Sequence, residues 1–168
     1  MSMKHSMEVP EAMLVALRRV IRAIDLHSRS LVQSHGLTGP QSLVLREAIA
    51  ARGLTAGDLA RRVSVSQATI TDVVKRLESK GLVRRTQDKV DRRRVLITAT
   101  ARGSKLYAAA PPLLQETFVQ RFAALRSWEQ NMLLASVQRI AELMDAEQLD
   151  AAPVLASGAL AATSDSAD

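Results

Sequence analysis

Groups able to make or break bonds are scarce in this chain of 168 residues. There are three histidines, His5, His27 and His35, and no cysteine. No glycine loop of the phosphate-binding kind occurs and no carboxylates are paired for acid–base work, so the usual catalytic constellations are missing and no enzymatic activity is expected. Asp25 and His27 come nearest to a metal pair. Neighbouring positions on one helix point in different directions, however, and neither a metal nor another cofactor is expected. A chain without cysteine has no disulfides or thiol redox centres, which suits a reducing cytoplasm. What the chain does carry is unevenly placed charge. Residues 52–105 hold fourteen Lys or Arg against five acids, a balance of +9, while the remainder contributes −3 to the overall +6. Such a stripe is suited to neutralising phosphates, and a nucleic acid is the partner it implies.

Those bases sit on elements legible in the spacing. Ile70, Val73, Val74 and Leu77 recur at i, i+3, i+4 and i+7 and predict a helix over residues 66–80, with Gln67, Thr69, Thr71, Asp72, Lys75 and Arg76 off its apolar side. Ser66 is its expected N-cap and Gly81 its expected stop. Upstream, Thr55 and Asp58 form a capping-box pattern for a shorter helix whose inner face is Leu59, Ala60 and Val63. Residues 64–66 leave room only for a tight turn. The pair therefore reads as a helix-turn-helix, whose second helix enters a major groove by its N-terminal end. Residues 82–86 and 94–98 have strand character and flank a charged stretch at 87–93, the pattern of a β-hairpin wing.

The flanks read as helical. Residues 10–34 carry a nearly heptad seam of Leu14, Leu17, Ile21, Ile24, Ser28, Leu31 and His35. The polar members admit two explanations: a small serine tolerated in the seam and a helix-end histidine satisfied by carbonyls, or the lining of a small-molecule cleft. Thr38 and Gln41 open a helix containing Leu43, Val44, Leu45, Ala48 and Ile49, with Gly53 expected to close it and Leu54 as a link. Thr100 begins a helix that should kink or break at Pro111 and Pro112. Leu113, Leu114, Phe118, Phe122 and Leu125 continue an apolar face, and Ser127 with Gln130 predicts a cap for a last helix reaching Glu147. Residues 150–168 lack periodicity and bulk and are expected to form a disordered tail. A hydrophobic fraction of 47% with 24% charged residues suits a soluble domain. The first ten residues have no signal-peptide core, and no apolar run approaches the ~18 residues of a membrane span.

Read in order, Leu37-Thr38, Leu59-Ala60, Ser66-Gln67-Ala68-Thr69-Ile70-Thr71, Leu77-Glu78, Lys80-Gly81-Leu82-Val83, Asp91-Arg92-Arg93, Thr100 and Gly103 resemble the MarR family of bacterial transcriptional regulators over residues 10–147. The resemblance implies a mainly α fold with a small β-wing, a winged helix-turn-helix with N- and C-terminal dimerisation helices. Residues 10–35 would be the first dimerisation helix, 37–99 the DNA-binding lobe and 100–147 the second set. It implies a homodimer reading a pseudo-palindromic operator in double-stranded DNA, usually as a repressor, and release by a small, often phenolic effector.

Carried over, Ser66, Gln67, Thr69 and Thr71 stand where the family reads bases and phosphates, with Lys75, Arg76, Arg92 and Arg94 beside them. Arg93 would enter the minor groove, braced by Asp91. Asp72 departs from the family's usual basic residue; an acid there accepts from cytosine but repels phosphate. Candidates for an effector cleft are Ser28, His35, Arg46 and Tyr107. The first helix and the Leu37-Thr38-Gly39-Pro40-Gln41 opening also resemble a branch controlling ectoine and other osmolyte genes, which raises ionic strength itself as a release signal. The alternative to all of this is a winged-helix module that binds only protein.

Overall fold

The computed structural model describes residues 8–51, 53–149 and 154–157. The elements run α1 (Val9–His35), α2 (Gly39–Ala50), α3 (Ala56–Val63), α4 (Gln67–Ser79), β1 (Val83–Gln87), β2 (Val95–Ala99), α5 (Ala101–Ala109), α6 (Leu114–Ala123) and α7 (Ser127–Leu143).

Four helices start where a side chain can satisfy an N–H that the helix itself leaves unpaired. Thr38 accepts from the Gln41 amide at 3.4 Å, Thr55 from Asp58 at 3.1 Å, Ser66 from Thr69 at 3.1 Å and Thr100 from Gly103 at 3.0 Å. In the first two the bond is returned, because Gln41 and Asp58 accept the Thr38 and Thr55 amides. The end of α4 is equally local. Gly81 adopts φ +68°, its N–H reaches the Glu78 carbonyl at 2.8 Å, and the Leu82 N–H reaches Leu77 at 2.9 Å. Leu77 and Leu82 are both buried at this stop, so the reversal is held by hydrogen bonds and apolar contact together.

The core lies among α2, α3, α4 and the wing. Leu45, Leu59, Ile70, Val74, Leu77, Leu82 and Ile97 are buried in one cluster, each stabilising the fold by about 1.5–3 kcal/mol through removal of its apolar surface from water. β1 and β2 pair antiparallel, with Val83 opposite Ala99 and Gln87 opposite Val95. Leu54 is more than a link. It exchanges both backbone hydrogen bonds with Ile97, at 3.2 and 2.8 Å, and so lays a one-residue third rung on the wing. Gly103 lets α5 approach the wing: a Cβ there would stand 2.1 Å from the Leu82 carbonyl oxygen.

Several expectations need correction. α2 stops at Ala50 with Ala51 extended, so Gly53 does not close it; its φ of +135° serves the turn that leads Leu54 to β2. α7 begins after Arg126, whose N–H is taken by Glu129 at 3.0 Å, and Ser127 is its first helical residue instead of its cap. Gln130 turns back to donate to the Phe122 and Leu125 carbonyls at the end of α6, and α7 stops at Leu143, four residues short of expectation. The tail expected over 150–168 is in part ordered: residues 154–157 pack on α1 and the start of α2, where Val154 is buried. Val154 and Ala156 come this close because position 39, which they lie against, is glycine. The rest of that tail lies outside the described residues.

α5 ends at Ala109, and α6 begins beyond Pro111 and Pro112, so the double proline breaks the helix completely. α6 and α7 bury no residue, and α1 buries only Ser28 and Leu31. Leu14, Ile21, Phe118, Trp128, Met132 and Val137 remain exposed along these helices. Among the described residues no helix is long and apolar enough to cross a membrane.

Candidate nucleic-acid interface

The polar end of α4 is built by its own cap. Ser66 Oγ accepts the Thr69 amide and lies 2.8 Å from Thr69 Oγ1, so both hydroxyls are committed to the turn of the chain. Gln67, the first helical residue, is exposed, and its amide makes no side-chain hydrogen bond among the described residues. Thr71 is exposed too; its hydroxyl donates to the Gln67 carbonyl at 2.8 Å, leaving a methyl and an acceptor outward. Gln67 and Thr71 thus present an amide and a methyl one helical turn apart, the two chemistries that distinguish base edges in a major groove. Asp72, Lys75 and Arg76 continue the exposed side, opposite Ile70, Val73, Val74 and Leu77 in the core.

The wing tip is shaped by two aspartates. Asp88 Oδ1 accepts the Val90 amide at 2.9 Å, and Asp91 Oδ1 accepts the Arg93 amide at 3.0 Å. The Asp88 amide also donates to the Arg94 carbonyl at 2.9 Å, which closes the hairpin. Asp91 therefore holds the backbone of Arg93 and not its guanidinium. Arg92 and Arg93 are exposed, whereas Arg94 turns toward α3 and stands 3.7 Å from Asp58.

Sorting the bases by partner separates the interface from its frame. Arg61 and Arg94 face Asp58, Arg62 faces Glu47, and Arg85 faces Glu78. Arg84 donates to Thr98 Oγ1. Lys80 Nζ donates to the Gly36 carbonyl at 2.6 Å and to Gln41 at 3.0 Å, tying the end of α4 to the end of α1. Among the described residues, no acid pairs with Lys75, Arg76, Arg92 or Arg93. Asp58 shows the opposite situation. Hydrogen bonds from the Thr55 hydroxyl and amide, followed by the charges of Arg61 and Arg94, hold its carboxyl below the ordinary 3.8.

The four cleft candidates are not gathered into one site. Arg46 and Tyr107 meet on Glu116: Arg46 donates to its Oε1 at 2.7 Å, and the Tyr107 hydroxyl lies 3.4 Å from the same oxygen. Glu116 Oε2 meanwhile accepts the Leu113 amide at 3.2 Å, and Arg46 also pairs with Glu47 at 2.9 Å. Partial burial works against the Arg46 charge, but the bonds and charges of Glu116 and Glu47 outweigh it and raise its pKa. Burial, then the Glu116 charge, pushes the Tyr107 phenol up from 10.0.

His35 Nε2 bonds the Ala109 carbonyl at 3.0 Å and its Nδ1 meets Ser34, so it fastens the end of α1 to the end of α5. Ser28 Oγ donates to the Ile24 carbonyl and accepts the Ser157 amide. Sequence reasoning missed Glu116 and Glu47, and it missed that His27 Nε2 accepts the Leu114 amide at 3.1 Å, capping α6 from another helix. A break at a double proline leaves unpaired N–H groups on its far side, and that was the one available signal that some distant acceptor had to serve them.

Residues 37–95 match the profile of the MarR family. Curated relatives include the transcriptional regulator HosA of Escherichia coli, 32% identical over 104 residues that make up 62% of this chain and 77% of HosA. The homoprotocatechuate degradative operon repressor of Escherichia coli is 26% identical over 140 residues, 83% of this chain and 95% of the repressor. Among solved structures, the PcaV transcriptional regulator of Streptomyces coelicolor, determined in complex with its natural ligand, is similar with a TM-score of 0.55 at 25% identity, over 86% of this chain and 99% of that one.

Proposed function

The chain belongs to the MarR family of DNA-binding transcriptional regulators, and from that premise we propose that it is a repressor gripping a pseudo-palindromic operator as a homodimer in the cytoplasm. The observation that carries this reading is the company α4 keeps. Exposed Gln67 and Thr71 at its N-terminal end stand with four cations, Lys75, Arg76, Arg92 and Arg93, that no acid neutralises among the described residues. Phosphate contacts from the cations set register, and Gln67 with Thr71 reads the groove. Ser66 and Thr69, already bonded to each other, act mainly by shaping the approach. Asp91 fixes the wing backbone so that Arg93 reaches a minor groove.

Dimerisation accounts for helices that otherwise lack a reason to fold. α6 and α7 bury nothing within one subunit, and exposed Phe118, Trp128, Met132 and Val137 would form a contiguous core with exposed Leu14 and Ile21 of a second copy. Release from DNA has two candidate signals. One is a small effector engaging Arg46 and Tyr107 where α2 meets α6; the PcaV structure with its ligand and the relative named for a homoprotocatechuate degradative operon support an effector of this kind. The other is ionic strength, in keeping with the resemblance to osmolyte regulators.

Selecting bound fragments from the source genome, then titrating the recovered duplex and a random one by fluorescence anisotropy, tests the reading. Tight binding to the recovered duplex and weak, salt-sensitive binding to the random one are expected. Absence of salt-sensitive binding to either refutes it and favours a protein-binding winged helix.

A further inference from the structure

The surface where α1 meets the start of α2 carries a short non-helical segment, the chain's own residues 154–157. Val154 is buried at 6% exposure, whereas its larger neighbour Leu155 is left largely exposed. It seats beside Gly39, the first residue of α2. A Cβ on Gly39 would fall 3.0 Å from Ala156 Cβ and 3.3 Å from Val154 Cγ2, so the seat exists because that position is glycine. The φ of Gly39 lies outside the left-handed region, so the backbone there does not itself demand glycine.

The polar side of the seat is used as fully as the apolar side. Ser157 N–H donates to Ser28 Oγ at 2.9 Å, and Ser28 spends its own proton on the Ile24 carbonyl at 2.8 Å. Ser157 Oγ donates to Asp25 Oδ1 at 3.0 Å, while Arg29 holds Asp25 from the other side at 2.9 Å. Asp25, Ser28 and Gly39 therefore have partners in the segment, and none of the three is needed for the helix-turn-helix itself.

We propose that this surface is a peptide seat occupied in cis by residues 154–157, and that the occupied seat straps the long helix α1 to the DNA-binding lobe. Lys80 bonding the Gly36 carbonyl is one tie between α4 and α1. The strap is a second, on another side of α1. Two ties suppress rocking of the lobe about the 36–38 link. The seat accepts a small apolar side chain followed three residues later by a serine, with the residue before that serine kept small by its approach to Gly39 while Leu155 points to solvent.

Hydrogen exchange of the full chain, read by mass spectrometry, tests this without reference to DNA, so its failure is distinct from failure of the regulatory reading. In the unaltered chain the 154–157 segment exchanges more slowly than a free peptide of the same sequence. Val154→Asp and, separately, Gly39→Val speed exchange of that segment and of residues 25–39 by about tenfold, the equilibrium effect of returning one valine to water. α4 and the wing keep their protection, which shows that the variants fold. Free-peptide rates for 154–157 in the unaltered chain overturn the seat, and loss of segment protection with no change at 25–39 overturns the strap. Co-expressing the two variants tests the occupant. In cis neither subunit has an intact pair and protection stays lost, whereas recovery of about a quarter of the protection, one intact pair in each mixed dimer, means that the segment crosses to a second copy and overturns the cis assignment.

Discussion

Removing the Arg93 guanidinium should change how operator affinity depends on salt by an amount the ion pairing fixes in advance. Residues 52–105 carry fourteen bases; among the described residues Lys75, Arg76, Lys89, Arg92 and Arg93 are exposed beside α4 or at the wing tip with no acid paired to them, and of these Lys75, Arg76, Arg92 and Arg93 are taken as the contacts. Two subunits then offer eight cations to phosphate. Counterion release gives log K a slope of about −0.9 per contact, or about −7 against log salt, so doubling the salt weakens binding about a hundredfold. Arg93→Ala removes one cation from each subunit, flattening the slope to about −5.5 and reducing the doubling effect to about fortyfold. Lys80→Ala is the control, because Lys80 Nζ is already spent on Gly36 and Gln41. It should leave the slope unchanged. Anisotropy titrations from low to moderate salt on one operator duplex supply all three slopes. An unaltered slope no steeper than about −3, or equal flattening by Lys80→Ala and Arg93→Ala, refutes the sorting of bases into interface and frame.

Other outcomes follow from single contacts. Gln67→Ala should cost about 1–3 kcal/mol on the operator and little on random duplex, while Lys75→Ala weakens both alike; competition titrations with single-base operator variants check this. Glu116→Ala strands the Leu113 amide and the Tyr107 hydroxyl and leaves Arg46 on Glu47 alone, so it should lower stability by about 1–3 kcal/mol in urea unfolding, and an unchanged midpoint would show that the α2–α6 junction contributes nothing to stability. Asp58 has its pKa lowered in the fold, so its contribution is present above its ordinary 3.8 and is lost as pH falls through the folded value. Asp58→Asn should accordingly flatten the acid limb of a stability–pH profile, with no change in its shape above pH ~5. Gly103→Ala sets a methyl against the Leu82 carbonyl and should lower the melting temperature through about 1–3 kcal/mol of overpacking; a neutral result would mean α5 can back away from the wing.

Everything the sequence by itself determined about this protein is local. Thr38, Thr55, Ser66 and Thr100 could be read as caps because a cap joins residues three apart, and Gly81 as a stop because a left-handed turn needs only its own backbone and the next few amides. The stripe of Ile70, Val73, Val74 and Leu77 had to face inward whatever lay behind it, so the exposed side of α4 was known before its surroundings were. Even so, periodicity could not tell a cap from a first helical residue at Ser127, where Glu129 took the Arg126 amide instead.

Tertiary structure decided which charges are free. Lys80, Arg85 and Arg94 look no different in sequence from Lys75, Arg92 and Arg93. Their partners lie on other elements, Gly36 on the link after α1, Glu78 on α4 and Asp58 on α3, and only folding brings those within reach. The same holds for Glu116 beneath Arg46 and Tyr107, for His27 capping α6, and for the segment at 154–157 lying across α1. Composition records how many cations a chain has. Which of them meet solvent without a counter-charge is settled by contacts between residues far apart in sequence, and local propensity carries no information about those contacts.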